Sequence, residues 1–236
     1  MPPLTPEEFA TLPPGEIVRR LREDLEAQMA RIGPQRDVYC RELAFQIDFA
    51  RLALRDARSA LADLDANIQE STAARQALRS RRGDPEHFSL QMQIEQHSFA
   101  RHSAAATRFW YSIQAFLGAV ANISKTLWGV AGPADEARRE ALRSHLSISG
   151  SSPLEARTMR NHVEHFDERL DAWANAGFLS SMNRDFGPVP PERNPETTFL
   201  NFDPATQTLS FKNNSISVIE IEAALEELDT KLREAR

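Results

Sequence analysis

Apolar residues recur along this chain with the period of a helix packed on one side, and they do so twice at length. Leu43, Ile47, Ala50, Leu54, Ala57, Leu61, Leu64 and Ile68 step alternately by four and three. Such a seam belongs to a long helix lying at a shallow angle against a neighbour. Phe99, His102, Ala106, Phe109, Ile113, Phe116, Val120, Ile123 and Leu127 repeat the rhythm. Only the break Arg82-Gly83-Asp84-Pro85 separates the two runs. Short connections favour antiparallel neighbours, so residues 34–130 read as one long antiparallel helical hairpin. Each seam buries about eight side chains, and each large one contributes about 1.5–3 kcal/mol. Packing, rather than propensity, decides such an element.

Start signals place the other helices. Thr5, Pro6 and Glu8 form a capping box with proline in the first turn. Ser152, Pro153 and Glu155 repeat it, and Ser217 with Glu220 repeats its outer pair. Gly83 can close the first hairpin helix in a left-handed conformation, and Asp84-Pro85 opens the next. Helices are expected at about 133–147 and 153–176. Residues 177–197 hold Gly177, Gly187, Pro188, Pro190, Pro191 and Pro195, a loop by composition.

After that loop, Thr198–Phe202 and Thr208–Phe211 alternate apolar and polar, which predicts a small β-hairpin. Two strands alone are marginal in water, so Phe199, Phe202, Leu209 or Phe211 must pack on helices. An amphipathic helix then runs from about Val218. The expected fold is all-α: an elongated helical bundle with a long antiparallel helical hairpin, plus a small C-terminal β-hairpin. It divides into an N-terminal helical segment (1–33), a helical bundle (34–176), and a tail (177–236) of loop, β-hairpin and helix packed on the bundle.

Composition narrows the class of protein. The chain has 236 residues, 26% of them charged, and a net charge of -6. A general nucleic-acid coat would be basic overall. Arg75, Arg79, Arg81 and Arg82 cluster at a helix end, and such clusters are usually solvated surface. The single cysteine, Cys40, forbids an intrachain disulfide and suits a reducing cytoplasm. The start MPPLTPEEF lacks the basic and apolar regions of a signal peptide. Ile113–Gly132 is apolar but broken by Gln114, Asn122, Ser124 and Lys125, so it reads as a buried helix rather than a membrane span. A cytoplasmic protein without membrane contact is expected.

Candidate chemistry concentrates in residues 160–165, RNHVEH. On the 153–176 helix, Met159, Val163, Phe166, Leu170 and Trp173 fall on one stripe, which is core. Arg157, Asn161, Glu164, His165 and Glu168 fall on roughly the opposite side, with Arg160 on the flank. The plain reading is a solvated face with i,i+4 pairs such as Arg160–Glu164, each giving about 0.2–0.5 kcal/mol. Two histidines three apart and a mid-helix asparagine argue for more than solubility.

RNHVEH resembles the arginine, four to six residues, histidine signature of the HEPN superfamily, including its variant with a polar residue after the arginine. The resemblance covers about residues 86–176. It implies an all-α bundle of four or five helices and, in many members, a metal-independent ribonuclease of defence or toxin–antitoxin type that works as a dimer with both motifs in one cleft. Carried over by position, His165 is the general base or transition-state contact for a 2′-hydroxyl attacking its neighbouring phosphate, a role that suits a side chain titrating near neutrality. Arg160 clamps the phosphorane, because a guanidinium matches phosphate geometry. Asn161 orients one of them, with His162, Glu164 and Arg157 in support. The products are a cyclic phosphate and a 5′-hydroxyl. One departure from the family is that Arg160 lies two turns inside the helix. Another is the spacing, since residues five apart point about 140° apart on a straight helix. A second chain or a distorted helix is needed to bring the pair together.

Other readings weigh against this one. His162 and His165 could ligate a metal, but no second helix offers a matching Glu-x-x-His; no metal or cofactor is expected. His102 reads as a core histidine bonded across the hairpin. Phe109 is core, while Trp110, Tyr111 and Trp128 read as interface or partly buried packing rather than base-stacking platforms. No phosphate loop or serine-nucleophile elbow is present. Two functions follow: a HEPN-like endoribonuclease, homodimeric, with an RNA substrate and an antitoxin or other protein partner, or a non-catalytic helical interaction protein.

Overall fold

The computed structural model describes residues 12–81, 83, 85–129, 133–148, 152–155, 166–175, 184–187, 199–211 and 214–235. Within these, only the helical backbone is described at 21, 24–34, 133–135, 137, 166, 167 and 169. The chain is mostly helical. Helix α1 spans Pro14–Arg79, α2 His87–Trp128 and α3 Pro133–His145. A 3-10 turn at Pro153–Glu155 and helix α4 at Phe166–Asn175 precede a small sheet. Helix α5, Val218–Glu234, follows the sheet. Two compact units form, one of Ile47–Val120 and one of Met1–Gln46 with Ala121–Arg236. The N-terminal capping box at Thr5 lies outside the described residues.

In the Ile47–Val120 unit the two helices run antiparallel, as their cross-links show. Arg108 pairs with Asp63, Arg101 with Glu70, Asn67 with Ser98 and Arg75 with Glu95, so one number rises as the other falls. Arg75 grips Glu95 through Nε and Nη2, both at 2.8 Å. That fork holds the Glu95 carboxyl below its ordinary range, chiefly through the hydrogen bond. Arg75 is thus taken up by a carboxylate, Arg79 and Arg81 are exposed, and Arg82 lies outside the described residues. The buried set joins Ala50, Ala53, Ala57, Ala60 and Leu64 of α1 with Phe109, Trp110, Ile113, Phe116 and Leu117 of α2.

The seams depart from expectation near the hairpin's closed end. Ile68 is 51% exposed, whereas the neighbouring Asn67 is 2% exposed and donates Nδ2 to the Ser98 carbonyl at 2.9 Å. Leu61 is half-buried and Ala60 takes its place. Phe99 is 76% exposed, and His102 is exposed rather than bonded in a core. After Ala57 the buried line passes through 60, 64, 67, 71 and 78. Successive residues point about 100° apart, so moving one position turns a different side chain inward. Two of these inward positions, Asn67 and Ser71, are polar, and an apolar pattern does not register them.

Helix ends also differ. Gly83 lacks a left-handed φ; the left-handed glycine is Gly129, φ +66°, just beyond Trp128. Its N–H donates to Lys125 O at 2.8 Å. Two arginines of α3 complete this terminus. Arg139 donates to Thr126 O and Arg143 to Leu127 O, each at 2.8 Å. They satisfy carbonyls that a helix end leaves open and place positive charge at the negative pole of the helix. Arg139 also lies over the Tyr39 ring, 4.6 Å from its centroid. A Cβ at position 129 would meet Arg139 Cγ at 3.3 Å. Gly129→Ala therefore combines that crowding with a left-handed strain of about 1–2 kcal/mol. A loss of at least that size is expected in urea unfolding followed by circular dichroism.

The expected β-hairpin is present but belongs to a larger sheet. Strands β1 (Arg184–Phe186), β2 (Leu200–Asp203), β3 (Thr208–Phe211) and β4 (Asn214–Ser217) lie in the order β1-β2-β3-β4. The β2/β3 pair is antiparallel with Leu200 opposite Phe211, while β1 pairs parallel to β2. β1 comes from the segment that composition reads as loop. Three residues are too few to show an alternation, so only its partner reveals it. Leu200, Asn201 and Phe202 are all buried, because β2 is a central strand. Asn201 Nδ2 donates to Gly187 O at 3.0 Å, and Gly187 N–H to Phe202 O at 2.9 Å. Gly187 holds φ +105°, which favours glycine.

Helix α5 begins as the sequence predicts. Ser217 is its N-cap, with Oγ accepting from Glu220 N–H at 3.2 Å. Val218, Ile221, Leu225, Leu228 and Leu232 are its buried stripe. Ser217→Ala removes that acceptor, and a loss of about 0.5–2 kcal/mol is expected in the same unfolding assay.

Candidate functional site

The six residues of the RNHVEH reading, Arg157, Arg160, Asn161, His162, Glu164 and His165, lie outside the described residues. The elements on either side of them are described. On the N-terminal side, Ser152 Oγ accepts from Leu154 N–H at 3.3 Å and Ser152 O from Glu155 N–H at 2.9 Å. The start signal read at Ser152-Pro153-Glu155 thus forms a turn, and Leu154, 3% exposed, is buried there.

On the C-terminal side stands α4. Trp173 is buried, Leu170 is half-buried and Glu168 is exposed. The faces expected for these three hold. The Trp173 ring lies 5.8 Å from Phe199, which meets Phe211 edge-on at 4.6 Å. An aromatic triad therefore fixes α4 to the sheet. Sequence reasoning names Phe199 and Phe211 as packing residues; the partner Trp173 is what the tertiary structure adds.

A cleft of about 170 Å³ lies between the turn and α5, lined by Ile148, Ser152, Pro153, Leu154, Ala224, Glu227, Leu228 and Lys231. Lys231 Nζ donates to Ser147 O at 2.8 Å and pairs with Glu227 at 2.5 Å. Both charges of the cleft are thereby taken up inside the protein. His145, at the end of α3, buries Nε2 with no hydrogen-bond partner among the described residues. Sequence reasoning passed over it, since a single histidine late in a charged helix carries no spacing signal.

Among the described residues no three or more His, Cys, Asp or Glu side chains gather into a metal site. Nor is any helix there long and apolar enough to cross a membrane. Trp110 is buried and meets Phe109 edge-on at 5.1 Å, while Tyr111 is 72% exposed. No family model, curated protein or solved structure matches this chain.

Proposed function

We propose that this chain is a HEPN-like, metal-independent endoribonuclease of defence or toxin–antitoxin type, acting as a homodimer on RNA and held in check by an antitoxin or other protein partner. The sequence RNHVEH at 160–165 carries the reading. His165 serves as the base for the 2′-hydroxyl, Arg160 neutralises the phosphorane and Asn161 orients them. His162, Glu164 and Arg157 support that set. The mostly helical fold agrees with such a domain. So does the anchoring of both flanks of the motif, by Leu154 on one side and Trp173 on the other. The test is purified protein with RNA and chelator, wild type beside His165→Ala and Arg160→Ala. Cleavage by the wild type alone supports the assignment; equal cleavage by all three, or by none, removes it.

A second reading has an observation of its own. Val38, Phe45, Phe49 and Leu52 are large apolar side chains left about half exposed on α1. They favour a non-catalytic helical interaction protein, which would bind a partner with the motif residues replaced.

A further inference from the structure

Helix α1 is apolar on two opposite sides. Its buried line runs through Leu43, Ile47, Ala50 and Leu54. On the far side, Val38, Phe45, Phe49 and Leu52 are 55%, 58%, 54% and 47% exposed. At 100° per residue these four fall within an arc of about 60°. A helix apolar on both sides is one that packs on both.

The charges beside this second line say what packs there. Asp37, Arg41, Asp48 and Arg55, all exposed, follow one flank of it within an arc of about 40°. Their signs alternate along the helix. Read backwards, the order is the complementary one. In an antiparallel pair each flank faces its own copy, so the flank matches itself only in that orientation. Set Phe45 of one copy against Phe45 of the other. Val38 then meets Leu52, Asp37 lies within a helical turn of Arg55, and Arg41 within a turn of Asp48. We infer that α1 is the interface of a twofold homodimer in which the two α1 helices pair antiparallel through this line. Such an isologous contact closes on itself, as soluble homodimers do. The inference does not rest on the nuclease reading.

The test is light scattering of the full chain at micromolar concentration. The wild type is expected to be dimeric. Phe45→Glu with Phe49→Glu is expected to be monomeric, with unchanged circular dichroism because both positions are exposed. Arg41→Asp alone should weaken the dimer by at least about tenfold, since opposed charges then become like charges. Adding Asp48→Arg restores the match and should restore the dimer. A monomeric wild type overturns the inference, as does a double-glutamate variant that stays dimeric or a charge swap that fails to restore association. RNA cleavage by a monomer would defeat this inference and the homodimeric form of the nuclease reading while leaving the cleavage chemistry standing, and a dimer without cleavage would defeat the nuclease alone.

Discussion

Trp173→Ala is expected to lower stability by about 3–5 kcal/mol, the cost of truncating a large buried aromatic. The side chain is 7% exposed and packs on Phe199, itself 1% exposed and stacked edge-on against Phe211. Removing it takes the middle out of the contact between α4 and the sheet. Nothing else described on α4 is as deeply buried, so the cavity has little to collapse around it. Domains are stable by only about 5–15 kcal/mol, so a loss of this size consumes much of the total. Urea unfolding followed by circular dichroism measures it, with Trp173→Phe as the milder companion. A change below about 1 kcal/mol would mean that the triad does not hold α4 in solution.

His165→Ala is expected to reduce RNA cleavage by about 10²–10⁴-fold, the usual contribution of a positioned base. Arg160→Ala should cost about 10²–10³-fold, the loss of one charge-stabilising donor. Neither should alter unfolding, in contrast to Trp173→Ala, which should change both stability and cleavage because Trp173 lies eight residues after His165. Chelator should leave the wild type active. If cleavage persists in His165→Ala, the base lies elsewhere and the motif reading is lost. The two variants thus separate a damaged scaffold from damaged chemistry.

Much of the fold was legible because it is local. The 3-4 rhythm gave the two long helices, alternation gave β2 and β3, and a hydroxyl three residues before a carboxylate gave the start of α5. The site was less legible. RNHVEH names side chains with the right chemistry, but the five-residue spacing leaves Arg160 and His165 diverging on a straight helix. Their convergence depends on groups far away in the chain or in a second copy.

The amino-acid sequence by itself determined the two long helices, the β2–β3 hairpin and the start of α5, and most of the apolar line on each. These follow from neighbours a few residues apart and the fixed periods of helix and strand. Only the tertiary structure decided that Asn67 rather than Ile68 faces inward, that Gly129 rather than Gly83 takes the left-handed turn, and that Arg184–Phe186 is a strand. Each of these is settled by a partner distant in sequence: the Ser98 carbonyl, the arginines of α3, and β2. A residue's local letter pattern holds no record of those partners. Burial and hydrogen-bond satisfaction, which need the assembled chain, choose among the orientations the pattern leaves open.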